Sequence, residues 1–178
     1  MRFQISIPST MHLDLQNENF IVTGPLGSQG IPRHTLDPKG LFLFRIENDQ
    51  LHVQSQAKTR PSILNAYRGS LQSSFKKTFQ TLSQGILLQL ELVGVGFRVE
   101  QSGQNLEFKL GFSHPIMYEL PSDVRAIVPK PTHFLLYGVD PTRVTQVGAE
   151  IKRLRPPEMY KGKGIRRSSD VLYLKVKK

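Results

Sequence analysis

The sequence predicts an α+β fold made of two tandem copies of a small antiparallel sheet plus one helix, spanning 1–84 and 85–178. Three observations carry this reading. Short apolar runs, separated by Gly, Pro, Asn and Asp turn residues, fill both halves in the manner of short strands. Each half also holds one stretch whose apolar residues recur at helical spacing. Finally, the halves echo one another. Ile7-Pro8-Ser9-Thr10-Met11 resembles Leu120-Pro121-Ser122-Asp123-Val124, and Gly24 and Gly138 follow at similar distances. Duplication of one small unit accounts for the echo.

Residues 1–60 read as a meander of strands: Phe20-Ile21-Val22 before Gly24-Pro25-Leu26-Gly27, then Leu41 to Ile46, a turn at Glu47-Asn48-Asp49-Gln50, and Leu51-His52-Val53. Pro61 suits a first helical position. Ile63, Tyr67, Leu71, Phe75 and Phe79 then recur every four residues, widened by Leu64 and Leu82, and predict an amphipathic helix of about six turns. Its outer face carries Arg68, Lys76 and Lys77, with Arg60 just before it.

After Ser83-Gln84-Gly85, Leu88, Leu90 and Leu92 alternate with Gln89 and Glu91. The apolar phase then switches to Val93, Val95, Phe97 and Val99. A bulge at Gly94 and Gly96 would absorb the one-residue change. Gln101-Ser102-Gly103-Gln104 turns the chain into Leu106, Phe108, Leu110 and Phe112, predicting a hairpin. Strands follow near 117–120, 125–128 and 134–137. Asp140-Pro141 then supplies a cap and first-turn residue for a second helix, with Val144, Val147, Ile151 and Leu154 inward and Pro156-Pro157 ending it.

Charge gives the first functional lead. The chain has 178 residues, of which 38% are hydrophobic, enough for a packed core. Its net charge is +10, and its pI of about 10.0 implies a polyanionic partner, nucleic acid first and an anionic membrane surface second. From Ile151 to Lys178 there are ten Lys or Arg against two acids, a local charge of +8. Within it lies Arg155-Pro156-Pro157-Glu158-Met159-Tyr160-Lys161-Gly162-Lys163-Gly164-Ile165-Arg166-Arg167. Pro-Pro stiffens the helix exit, and Gly162 and Gly164 permit close backbone approach to a phosphate. Lys161, Lys163, Arg166 and Arg167 supply neutralising charge, and Tyr160 can stack on an unpaired base. A solvated, flexible tail is the competing reading. The same surface is expected to include Arg153, Arg155, Lys175 and Lys177, with Arg68 and His114 as outlying contacts.

Chemistry finds little support. With no Cys, thiolate nucleophiles, disulfides and thiolate metal sites are excluded, and the five His are too dispersed for metal-ligand spacing. Gly94-Val95-Gly96 lacks the third Gly and helix start of a dinucleotide site, and no GxxxxGK[ST] occurs. Ser113 and His114 are neighbours that would point to opposite faces of a strand, with no third triad member. No catalytic residue, metal or cofactor is expected. No apolar run reaches the roughly 20 residues of a bilayer span. No signal peptide or Arg- and Ser-rich transit segment is evident at the start, so an organellar address would have been removed or unneeded.

Taken with Leu92-Val93-Gly94-Val95-Gly96-Phe97-Arg98, Leu110 to Pro115, Gly138-Val139-Asp140, Gln146 to Ile151 and Arg155 to Ile165, the sequence resembles the bacterial-type ribosomal protein L6 family of the large subunit. The similarity is most specific from Gly85 to Gly164. Ile7-Pro8, Val22-x-Gly24-Pro25-x-Gly27 and Arg68-Gly69-Ser70 anchor the weaker first half. The resemblance implies two tandem α+β units and a structural role on large-subunit rRNA near the sarcin-ricin loop. Neighbouring ribosomal proteins and transient translational GTPases are the implied partners, without membrane or homo-oligomer. It places the RNA contact on Tyr160, Lys161, Gly162, Lys163 and Gly164, with Arg166 and Arg167 beside them. Met159 stands where the family usually has Pro, and Leu26 where it commonly has Lys. This drift favours a mitochondrial ribosome, with a bacterial or plastid one as alternatives. A free-standing RNA-binding module is the competing function.

Overall fold

The computed structural model of the protein describes residues 2–16, 18–47, 50–55 and 61–175, the side chain of Pro61 excepted. Asn48, Asp49, Arg60 and Lys177, which figure in the sequence reading, lie outside the described residues. The chain divides into two compact units, Met1–Gly85 and Ile86–Lys178.

The first unit runs β1 (Arg2–Ser6), β2 (His12–Gln16), β3 (Asn19–Gly24), β4 (Gly27–Pro32), α1 (Arg33–Leu36), β5 (Phe42–Glu47), β6 (Gln50–Ser55) and α2 (Pro61–Gln84). The second runs β7 (Ile86–Val93), β8 (Arg98–Ser102), β9 (Asn105–Lys109), β10 (Ile116–Glu119), β11 (Val124–Lys130), β12 (His133–Gly138), α3 (Pro141–Leu154) and β13 (Gly164–Arg167). All pairings are antiparallel, with strand orders β1-β6-β5 and β2-β3-β4 in the first unit. The second unit has β8-β9-β10 and β11-β12-β7-β13.

Setting β1 to β6 beside β7 to β12 reproduces every pairing, and a helix follows the sixth strand each time. The fold is therefore the predicted α+β tandem, but the sequence echo is out of register. Ile7-Pro8-Ser9 joins the first and second strands of its unit, whereas Leu120-Pro121-Ser122 joins the fourth and fifth of the other. The similarity of those tripeptides reflects turn chemistry and not common position.

Several elements correct the sequence reading. In α2 the buried positions include Leu64, Leu71, Phe75, Phe79 and Leu82, with Tyr67 half-buried and Ile63 38% exposed. A strict four-residue repeat drifts by roughly 40° per step, so it cannot stay on one face for six turns. The unpredicted turn α1 is followed by Asp37, whose buried carboxylate accepts from the amides of Leu41 at 2.9 Å and Phe42 at 2.8 Å. Gly94–Gly96 is a turn and not a bulge. It carries the chain from the sheet of β7 into that of β8, leaving Val95 92% exposed at its tip. Gly96 has φ 75°, and a Cβ on Gly94 would stand 2.7 Å from the Phe97 ring. A phase change marks the end of one strand as readily as a bulge within one.

The predicted hairpin is β8–β9, and β10 extends it. Asp140 caps α3, its Oδ1 accepting from the Thr142 amide at 2.8 Å, with Pro141 in the first turn. Val144, Val147 and Ile151 are fully buried, and Gly148 packs closely on Leu88. They share a core with Leu90, Phe108, Phe134, Leu136 and Ile165. Tyr118 on β10 donates to Glu150 on α3 at 2.6 Å; burial and then that bond push its hydroxyl pKa up to about 12.

Candidate nucleic-acid interface

The basic C-terminal segment enters its surface from the end of α3 and leaves along β13. Arg155, immediately after the helix, is half-buried. Its Nη1 donates to the Leu110 carbonyl at 2.9 Å, and its guanidinium lies 5.3 Å from the Phe97 ring centre and 4.9 Å from that of Phe112. Phe112, anticipated as a core strand residue, is exposed beyond the end of β9 and serves as one plate of this clasp. Arg155 is thus held by its own unit as a brace between the helix exit and the hairpin.

Beyond the brace, residues 158–163 close a tight loop. The Glu158 amide donates to the Lys163 carbonyl at 2.8 Å, and the Gly162 amide donates to the Glu158 carbonyl at 2.9 Å. Gly162 has φ 67° and Gly164 φ 143°, both in the left-handed region, and both residues are buried. A Cβ on Gly164 would lie 2.6 Å from the Pro156 carbonyl oxygen. At Gly164 the close approach is therefore to the chain's own backbone, and the Gly162 amide is engaged within the loop. At the loop tip Tyr160 and Lys161 are exposed and Lys163 is half-buried.

Residues 164–167, expected in an ordered binding loop, form strand β13 on the edge of the four-stranded sheet. Ile165 is buried completely and its amide donates to the Arg155 carbonyl at 2.8 Å. Arg166 points to the other face and is ion-paired with Glu91, whose second oxygen lies 3.6 Å from His133. Arg167 and Arg153 border a shallow hollow with Lys152 and Asp170. Lys152 reaches Asp170 at 2.5 Å, and that bond, ahead of the charge attraction, holds the Asp170 carboxyl below the usual carboxylate range.

The tail then folds back on the loop. The Lys175 amide donates to the Met159 carbonyl at 2.9 Å, and Leu172 and Leu174 lie against Gly162. The backbone of Lys175 is thereby brought against the loop that carries Tyr160, Lys161 and Lys163, and among the described residues none of the three lysines has an ion-pair partner. Arg68 lies on α2 of the first unit, 5.4 Å over the Phe3 ring. His114 is exposed in the bend before β10. The sequence reading passed over Lys152, Phe112, Glu91 and Tyr173. Glu91 could have been paired with Arg166 once β13 was recognised, but Tyr173, 89% exposed, had no pattern to mark it. Among the described residues no cluster of His, Asp or Glu could hold a metal, and no helix is long and apolar enough to cross a membrane.

Comparison with known proteins returns one consistent family. The family model described as Ribosomal protein L6 matches residues 93–168. The chain is 33% identical over 172 residues to the large ribosomal subunit protein uL6 of Bradyrhizobium sp. strain BTAi1, covering 96% of this chain and 93% of that one. It is 36% identical to the uL6 of Nitrosococcus oceani over the same shares of each chain. Against the uL6 of Paraburkholderia phymatum the identity is 34%, over 90% of this chain and 88% of its relative.

Proposed function

Because this chain belongs to the uL6 family of large-subunit ribosomal proteins, we propose that it anchors large-subunit rRNA near the sarcin-ricin loop through the basic loop and tail of its second unit. It is a structural constituent of the large ribosomal subunit and not an enzyme, built into a particle of rRNA and other large-subunit proteins. The relatives compared are bacterial and give the mitochondrial preference no support. The position near the sarcin-ricin loop would set the protein beside the landing site of translational GTPases, its transient partners.

One observation carries the RNA reading: three lysines with no carboxylate partner among the described residues lie on, or are tied by their backbone to, a loop that bears an exposed tyrosine and is pinned at both ends. Its Glu158 and Gly162 amides close it, and the tail is bonded to Met159. Such a loop loses little conformational freedom on binding, so the entropy of released counterions is retained as affinity. Each lysine that meets a phosphate contributes about one unit of salt slope. Tyr160 adds a stacking surface for an unpaired base, worth about 1–3 kcal/mol where it is used. Arg155 and Arg166 act differently, since their guanidiniums are already bound within the protein. They hold the loop in place.

The test is high-salt sedimentation of lysate expressing either the parent chain or the triple substitution Lys161→Ala, Lys163→Ala, Lys175→Ala. The parent should travel with the large subunit, and the substituted chain should be stripped from it at lower salt. A parent chain that stays at the top of the gradient would sink the proposal. Equal retention of the two would remove the loop from the anchor.

A further inference from the structure

The two units differ on the sheet face turned away from the helix. In the second unit this face is mixed: Leu87, 61% exposed, and Ile127, 52% exposed, stand with half-buried Leu135 and Tyr137, beside Arg125, Gln89 and the row His133, Glu91 and Arg166. In the first unit the inward residues Phe3, Ile5, Leu51, Val53 and Phe42 are buried, so the alternate residues of β1, β6 and β5 form the open face. Register sets them in rows. Arg2 stands beside Gln54 and Gln54 beside Leu43; Gln4 stands beside His52 and His52 beside Arg45. The next row holds Ser6, Gln50 and Glu47.

Five of the six side chains in the first two rows bear N–H donors, and Glu47 is the one acid among the described residues of the face. The Gln4 side-chain amide meets the His52 ring at 3.3 Å, fixing the centre of the array. Arg2 and Arg45 stand on opposite outer strands in adjacent rows, roughly 12 Å apart on the diagonal between their Cα positions. Between them a hollow of about 500 Å³ opens over the face.

From this arrangement we infer that the open face of β1-β6-β5 is a second RNA-binding surface, which takes a sugar-phosphate backbone across the rows between Arg2 and Arg45. Guanidiniums bind phosphate in forked geometry, and side-chain amides donate to phosphate and ribose oxygens without reading sequence. The absence of an exposed aromatic among these six positions argues for backbone contact over base stacking. The fold does not impose this chemistry, because the duplicate unit sets Leu87 beside Tyr137 and Ile127 beside Leu135 on its equivalent face. The inference rests on the ribosomal reading for its ligand but uses none of the residues that support it.

Binding of the full-length protein to deproteinised large-subunit rRNA across a salt series tests it. The double substitution Arg2→Ala, Arg45→Ala should lower the slope of log K against log salt by about two, and Leu43→Lys should raise it by about one. Thermal melts report whether each variant is folded, and Leu43→Lys, predicted to gain affinity, cannot succeed through misfolding. Slopes equal to the parent's in both variants would overturn the inference. If at the same time Lys161→Ala, Lys163→Ala lowers the slope, the C-terminal anchor survives and only this face is eliminated. If the parent itself fails to bind, both readings fall together.

Discussion

The functional segment is governed at single positions by backbone clearance. Gly164 combines φ 143° with a Pro156 carbonyl oxygen 2.6 Å from where a Cβ would be. Gly164→Ala must therefore move the backbone away from Pro156 and strain its own dihedrals, at a cost of about 3 kcal/mol. Urea denaturation should show a lower midpoint with unchanged slope, and a midpoint equal to the parent's would refute the clearance argument. Arg155 offers a contrasting case, because its charge is spent on a carbonyl and two aromatic faces. Arg155→Lys keeps the charge but loses the planar stack, and should cost about 1–2 kcal/mol of stability. The salt slope for rRNA should stay that of the parent, since no phosphate contact is removed; a slope lower by one would mean that Arg155 meets RNA directly. Sequence alone marks these residues, and the structure gives each a role within the protein. A glycine pattern announces that something comes close without saying whether it is a ligand or the chain itself.

Among elements, legibility followed the number of residues that vote. The helix α3 had a cap, a proline and four inward residues in phase, and the hairpin β8–β9 had its turn and two alternating strands. Strand β13 has four residues, of which Ile165 alone is a large inward side chain, so its chemistry was read as a loop. Its continuation is secured by a charge pair between elements, Lys152 of α3 with Asp170. The folded state lowers the Asp170 pKa, so this clamp contributes fully above the ordinary carboxylate range and weakens as pH falls through the depressed value. Amide exchange at Asp170, whose N–H donates to the Arg167 carbonyl at 3.0 Å, should therefore accelerate relative to β7 amides in acid. Asp170→Asn should make that ratio independent of pH. Persistence of the pH dependence in the Asn variant would assign the clamp to another group.

For the whole molecule, duplication explains the shared topology, from which the units depart at α1 and at β13. The second unit closes its sheet with a strand returned from beyond the helix, β13 on β7, whereas α2 of the first unit leads through Gly85 into the next unit. The tandem was legible from its two helices and many short strands, but the tripeptide echo gave the wrong register because turn residues recur wherever turns do. The added strand makes the segment proposed to bind RNA part of the core of its unit. A chain ending at Leu154 therefore loses more than phosphate contacts: it loses buried Ile165, the β13 ladder and the Arg155 clasp. Burial of an isoleucine side chain alone contributes about 2–3 kcal/mol, and the uncovered edge of β7 would add an aggregation-prone strand. A chain ending at Asp170 keeps all three and loses the folded-back tail with Lys175. Truncation after Asp170 should thus melt within a few degrees of the parent while binding rRNA more weakly. Truncation after Leu154 should lose protection along β7 in hydrogen exchange and melt far lower. If the shorter chain melted with the parent, anchor and core would be separable, and loss of rRNA binding on truncation could then be assigned to charge alone.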